Sequence, residues 1–190
     1  MKCPRCKIDL ILQFTKDEFN PIDYYKCPEC LSHNRHRLIY LLLKDKNNGK
    51  MLEYSPVKLT KETFNHFTAD FPPRTSELGV IMADVNDDLT NSQFKDNEFD
   101  TVICSHVLDS IKDEQKAIKE LYRITKKTAI ISAPIFDLEK TVEEPYLSHH
   151  RRCGLDYFER FSVFSKVEII NGNNYPEYGC QGEYVAICQK

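Results

Sequence analysis

Cysteines near the start of the chain have the type and spacing of a metal site. Two Cys-x-x-Cys pairs, separated by 20 residues, are formed by Cys3, Cys6, Cys27 and Cys30. Each pair directs two thiolates at one point, and two pairs complete the tetrahedral sulfur shell that Zn²⁺ prefers. A shell of four protein ligands has no open position, so the predicted role of the zinc is structural. The alternatives are four reduced cysteines without metal, or His33 or His36 replacing one ligand.

A second group of polar residues follows the most apolar stretch of the chain. Residues 99–111 predict a buried strand over 101–104 and a polar turn at Ser105 and His106. An amphipathic helix and a second buried strand over 129–133 come next. Apolar strands joined by a helix indicate a parallel sheet covered on both faces, with ligands beyond the carboxyl ends of its strands. We therefore expect Ser105 and His106 to face a ligand.

The remaining elements follow from apolar patterns and turn signals. We expect a ribbon over 1–36, a connecting helix over 37–48 and an α/β domain over 49–190. That domain is predicted to contain strands at 51–54, 75–80 and 81–85, helices at 57–67 and 156–161, and a closing antiparallel hairpin of strands 166–170 and 184–188.

Composition excludes several classes of function. The net charge of −3 gives no overall attraction to nucleic acid or anionic lipid. No apolar run approaches the roughly 20 residues that span a bilayer, and the first residues lack the apolar core of a signal peptide. We expect a cytoplasmic protein whose eight cysteines stay reduced or bind metal.

The segment from Phe99-Asp100 to His106-Val107-Leu108 resembles the class I S-adenosylmethionine-dependent methyltransferases, and more narrowly their type 11 relatives. The second cysteine pair, followed by Ser32-His-Asn-Arg-His-Arg37, resembles a zinc-ribbon branch of that family. The resemblance covers Cys3 to about Tyr157. It implies a Rossmann-like, mostly parallel sheet with an antiparallel C-terminal hairpin, S-adenosylmethionine as cofactor, and methyl transfer.

The turn after the first strand departs from the usual form of this family. Most members have a glycine-rich turn there, whereas this chain has Ser55, Pro56 and Val57. Ser55 could cap the next helix with Pro56 in its first turn, which would present free amides to the methionine carboxylate. Val57 replaces a glutamate of the zinc-ribbon relatives. Glu53, just before the turn, is also an expected cofactor contact.

Two acids match family positions when counted without gaps from Asp100. Glu77 falls on the acid that accepts hydrogen bonds from the ribose hydroxyls. Asp88 falls where an acid meets the adenine amino group, and Leu89 would pack on the ring. The alternative for both acids is a solvated position in a loop.

Histidines supply the candidate bases. His106 would face the methyl donor and substrate at the end of its strand, where it could bind or act as a general base. Ser110 replaces a second family histidine, and we expect it to cap the helix that follows.

A later segment, residues 148–157, resembles the family's substrate-covering connection. There His149 could take a proton from a hydroxyl, Arg151 could hold an anionic group, and Tyr157 matches the motif. The alternative is a basic helix start with solvated side chains.

These features favour methyl transfer from S-adenosylmethionine to a small acceptor, with a hydroxyl as the acceptor group. A catalytically inactive zinc-binding interaction module is the alternative, because the cofactor turn is degenerate. An RNA methyltransferase is the third hypothesis. Basic residues of the ribbon are mixed with acids, so no dominant basic face supports a nucleic-acid partner, which is unsupported rather than excluded.

Overall fold

The structure, a computed structural model, describes residues 1–13, 24–71, 81–147 and 149–190. Within these residues a two-stranded ribbon precedes a seven-stranded sheet. The strands are β1 Ile11–Gln13, β2 Tyr24–Lys26, β3 Met51–Tyr54, β4 Phe67–Asp70, β5 Val85–Asn86, β6 Phe99–Ser105, β7 Thr125–Ser132, β8 Lys166–Asn171 and β9 Tyr184–Gln189. The α-helices are α1 Asn34–Leu43, α2 Lys58–Phe64 and α3 Glu114–Ile124, and short 3-10 helices lie at Leu108–Ser110, Leu155–Phe161, Gly172–Asn174 and Pro176–Tyr178.

The large sheet has the strand order β5-β4-β3-β6-β7-β9-β8. Its first five strands are parallel, and β9 runs antiparallel between β7 and β8. The expected fold class, a mostly parallel sheet with an antiparallel C-terminal hairpin, is confirmed. Because β3, β4, β5 and β6 are parallel, their carboxyl ends meet at one edge of the sheet, where the order reverses between β3 and β6.

Alternate side chains of the strands bury two faces, as expected for a covered sheet. On one face α3 packs Ala117, Ile118 and Leu121 against the central strands, together with the 3-10 helix Leu155–Phe161. On the other face α1 packs Leu38, Ile39 and Leu42. The two layers fix the strand ends rigidly, which a binding site at that edge requires.

The strand β4 corrects the expected helix over 57–67. Helix α2 ends at Phe64, because Asn65 takes a left-handed backbone (φ 45°) and closes the helix. Residues Phe67–Asp70 then form a strand beside β3. The strand expected at 75–80 lies outside the described residues, and the one expected at 81–85 is reduced to β5. The acid that ends the second strand of this sheet is therefore Asp70.

A buried arginine joins the ribbon to the sheet. The guanidinium of Arg37 donates to the carbonyl oxygen of Ser32 beside the second cysteine pair at 2.6 Å. It also donates to the carbonyl oxygens of Tyr178 and Gly179, each at 2.7 Å, in the loop before β9. The N-terminal end of α1 is thus fixed to both parts. No helix of the described residues is long and apolar enough to cross a membrane.

Candidate functional site

The two cysteine pairs converge on one point. The Sγ atoms of Cys3, Cys6, Cys27 and Cys30 all lie within 4.8 Å of one another. Cys3 Sγ and Cys30 Sγ are 3.8 Å apart, which is about the edge of a sulfur tetrahedron built on Zn–S bonds of about 2.3 Å. All four cysteines are free thiols. The donor set and spacing fit a tetrahedral Zn²⁺ site.

Both cysteine pairs have the same backbone geometry. Lys7 and Leu31, each directly after a second cysteine, have positive φ angles of 62° and 58°. Their amides donate to the carbonyls of Cys3 and Cys27 at 3.0 and 2.9 Å. Among the described residues the metal-binding cluster contains only cysteines. His36 instead accepts a hydrogen bond at Nδ1 from the backbone of His33.

A cleft of about 280 Å³ opens at the carboxyl edge of the parallel strands. Its volume is near the lower end for small-molecule sites. The described residues that line it come from the ends of β3, β4 and β5 and from the turn after β6: Tyr54, Asp70, Phe71, Asp87, Asp88, Leu89, Thr90, Val107, Ser110 and Ile111. The cleft lies where the parallel sheet was expected to bind its ligand.

Among the described residues, three aspartates and three hydroxyl side chains form the polar lining of this cleft. Asp70 is 3 % exposed at the end of β4. Asp88 accepts from the backbone and hydroxyl of Thr90 through Oδ1, and no hydrogen bond within the described residues reaches its Oδ2. Asp87 accepts from the hydroxyl of Tyr54 at 2.5 Å, so β3 supports the loop after β5. Burial and this bond raise the pKa of Tyr54 and keep it a neutral donor.

Ser55 takes a glycine-like conformation, with a φ of 57°, and does not cap α2 as expected. The N-cap of α2 is Val57, which makes no side-chain capping bond. The amide of Ser55 donates to the carbonyl of Ala69 at 3.0 Å and joins β3 to β4. Ser55 thus adopts the backbone conformation that a glycine would take in this turn, at the cost of strain. Neither Ser55 nor Pro56 lines the cleft.

We expect Ser55→Gly to raise the free energy of unfolding by about 0.5–1 kcal/mol. Relief of the left-handed strain is worth about 1–2 kcal/mol, and the greater chain entropy of glycine removes about 0.5–1 kcal/mol of it. Urea denaturation measures the change, with Ser55→Ala as the control that keeps a Cβ at this φ. If the glycine variant is no more stable than the alanine variant, the backbone at Ser55 is not strained.

Glu53, an expected cofactor contact, is not among the residues that line the cleft. Its carboxylate is 2 % exposed and lies 2.9 Å from Nε2 of His66. The hydroxyl of Thr60 donates to the same Oε2 atom at 2.6 Å. The carboxylate is therefore committed to holding α2 and the start of β4 against β3.

Ser105 and His106, also expected at the site, make contacts with neighbouring segments. The hydroxyl of Ser105 lies 2.9 Å from that of Ser132 on the neighbouring strand. His106 has a φ of 53°, and its ring lies near Glu183, with Nε2 and Oε2 3.8 Å apart. Burial lowers the pKa of His106, so it is neutral. Neither residue lines the cleft, whereas the next residue, Val107, does.

A histidine–carboxylate pair adjoins the cleft at Ser110. His149 Nδ1 is hydrogen-bonded to Oδ2 of Asp109, a fully buried carboxylate. Burial would raise the pKa of Asp109, but the bond to His149 outweighs it and the pKa lies below its usual range. Ser110 Oγ lies 3.2 Å from the same nitrogen. Ser110 therefore supports His149 and is not the helix cap that was expected, which is Asp113.

Arg151 and Tyr157 lie in the interior rather than at a substrate surface. The guanidinium of Arg151 is 4 % exposed and bonds to the carbonyls of Leu108 and Ile111. Tyr157 is fully buried, and its hydroxyl donates to Glu114. These internal bonds occupy the polar groups of both residues, and the expected substrate contacts stay predictions.

The sequence pattern did not predict Asp70 or Asp109 as site residues, for different reasons. Asp70 ends a four-residue strand too short for a clear alternating pattern, although Asn65 marked the end of the preceding helix. Asp109 lies directly before Ser110, and only the fold brings it to His149. Of the expected cofactor residues, Asp88 and Leu89 line the cleft, and Glu77 lies outside the described residues.

Residues 49–133 match the model of a family described as a methyltransferase domain. An S-adenosylmethionine-dependent methyltransferase from Thermotoga maritima has a TM-score of 0.55 at 16% identity, with 83% of this chain and 95% of that chain covered. One from Archaeoglobus fulgidus has a TM-score of 0.57 at 14% identity, with 82% and 92% covered. The [4+2]-cyclase SpnF has a TM-score of 0.56 at 12% identity, with 82% and 80% covered. No curated protein sequence matches the chain. At these identities the solved structures share the fold of this chain.

Proposed function

We propose that this chain, which carries a methyltransferase domain over residues 49–133, transfers a methyl group from S-adenosylmethionine to a hydroxyl of a small acceptor. The observation that carries the acceptor chemistry is the His149–Asp109 pair beside the cleft. Methyl transfer to a hydroxyl releases a proton, and this pair is built to receive one.

The described cleft residues fit the cofactor. The ribose hydroxyls and the adenine amino group are donors, and the cleft offers the carboxylates of Asp70 and Asp88 beside the apolar Leu89. Asp70 takes the ribose role that the sequence assigned to Glu77, because it ends the second strand of the sheet. When bound, S-adenosylmethionine supplies a methyl group on a positively charged sulfur.

The chain supplies alignment and a proton acceptor. The side chain of His149 is 22 % exposed, and Asp109 holds its Nδ1, which leaves Nε2 as the nitrogen that can accept a proton. Ser110 bridges this pair to the cleft wall. Holding the acceptor hydroxyl between the methyl donor and Nε2 would supply most of the rate through orientation.

We expect Asp70→Asn to weaken binding of S-adenosylhomocysteine by about 1.5–3 kcal/mol, because the amide loses charge-assisted hydrogen bonds to the ribose. Calorimetric titration measures the affinity. Glu77→Gln is the matched variant for the competing assignment. A loss confined to Glu77→Gln would return the ribose role to Glu77, and unchanged affinity in both variants would remove both acids from the site.

The rival function is an inactive methyltransferase-like interaction module. Glu53, an expected cofactor contact, is instead bonded to His66 and Thr60, and this arrangement favours the module. Titration with S-adenosylmethionine separates the two functions. Micromolar affinity supports the enzyme, and no binding at millimolar cofactor would overturn it in favour of the module.

Salt-dependent RNA binding would instead indicate the third candidate, an RNA methyltransferase.

A further inference from the structure

Arg151 connects the two segments that carry the histidine–carboxylate pair. Its Nη1 donates to the carbonyl of Leu108 at 2.8 Å, and its Nη2 donates to the carbonyl of Ile111 at 3.0 Å. These two carbonyls flank Asp109 and Ser110. The backbone of His150 adds a bond to the carbonyl of Asp109 at 2.9 Å. The segment carrying His149 is thus laid directly along the turn that carries Asp109.

The two bonds to the turn need the shape of an arginine. A planar guanidinium reaches two carbonyls at once from one rigid group, whereas a lysine ammonium is a single point charge on a flexible stem. Arg151 lies two residues after His149, so the same side chain fixes the distance between the segments. A small shift there would separate His149 Nδ1 from Asp109.

The charge of Arg151 is balanced by acids that it shares with a second arginine. Its Nε lies 3.2 Å from Glu143 and its Nη1 3.4 Å from Glu114. Arg160 contacts the same two acids. Within the described residues Arg160 makes no hydrogen bond to the 108–111 turn. Arg160 is therefore a natural control, since it contacts the same two acids but makes none of the hydrogen bonds to the 108–111 turn.

We propose that Arg151 is a positioning residue that holds the 108–111 turn against His149, so that Asp109 fixes the orientation of the imidazole. The proposal rests on the proposed function, in which His149 accepts the proton of the acceptor. It gives Arg151 a role through Asp109, in place of the substrate contact that the sequence suggested.

The test compares Arg151→Lys with Arg160→Lys by ¹⁵N and ¹H NMR of the histidine rings, in the zinc-loaded full chain without cofactor or acceptor. We expect Arg151→Lys to speed exchange of the His149 Nδ1 proton about tenfold or more, because the bond to Asp109 loosens. Arg160→Lys should leave the exchange rate unchanged.

Equal changes in both variants, or none in Arg151→Lys, would overturn the proposal. Glu143→Gln, at a half-exposed acid, weakens the outer contact of Arg151 together with one contact of Arg160, and should give a smaller change of the same kind if Arg151→Lys does not fold. Once an acceptor is found, a fall in kcat supports positioning, and a rise in KM alone would indicate a substrate contact and overturn it. The NMR result does not depend on cofactor binding, so it fails separately from the proposed function.

Discussion

Replacing His149 with glutamine should lower kcat by about 10²–10⁴-fold and leave the affinity for S-adenosylhomocysteine unchanged. General-base catalysis by a positioned side chain contributes rate factors of this size. Glutamine keeps a polar group of similar reach near Asp109 but cannot accept a proton. The measurement is methyl transfer from labelled S-adenosylmethionine to the first acceptor found among small alcohols and phenols.

The matched control for this variant is His150→Gln. His150 is exposed and contacts the pair only through its backbone amide, so its side chain should be dispensable. Asp109→Asn should lower kcat as His149→Gln does, because an amide no longer selects the Nδ1-protonated form of the ring. Full activity in His149→Gln would remove the base from the mechanism and leave alignment as the source of the rate.

The sequence predicted the parts of this site that depend on local pattern. The spacing of the cysteine pairs depends only on the geometry of two short turns, and the structure brings their four sulfurs together. The strand that ends before His106 is a continuous apolar run, and it forms β6. Asp88 and Leu89, which the resemblance to the methyltransferase family placed at the adenine, line the cleft.

The side-chain positions of other candidate residues depend on tertiary packing, which the sequence pattern does not predict. His106 was expected in the cleft because it follows the strand, but its left-handed backbone places its ring near Glu183. Arg151 resembled an anion-binding residue, yet the carbonyls of a distant turn occupy it. Both outcomes depend on which segments the fold brings together, and no local pattern in one sequence reports that.

The second large effect is expected from Cys27→Ser, which should reduce the zinc content from about one equivalent per chain to nearly none and unfold the ribbon. Structural Zn²⁺ sites of this kind contribute about 10–16 kcal/mol of apparent binding free energy, which a two-stranded ribbon cannot replace by burying its small core. Metal analysis by mass spectrometry and proteolysis of the ribbon measure the two changes. Cys188→Ala, at a buried cysteine of β9 outside the cluster, is the control and should keep the zinc.

Unfolding of the ribbon should also weaken ligand binding in the cleft. Cys3, Cys27 and Cys30 pack in one cluster with Val57 and Leu59, the residues that begin α2 directly after the Ser55 turn. Removing that support exposes both apolar side chains and frees the turn that joins β3 to β4, so Asp70 loses its fixed position. We therefore expect Cys27→Ser to weaken S-adenosylhomocysteine binding about tenfold or more, since about 1.4 kcal/mol of lost contacts suffices. A zinc-free chain that stays folded and binds the ligand normally would contradict both the metal site and the packing support that the ribbon gives to this turn.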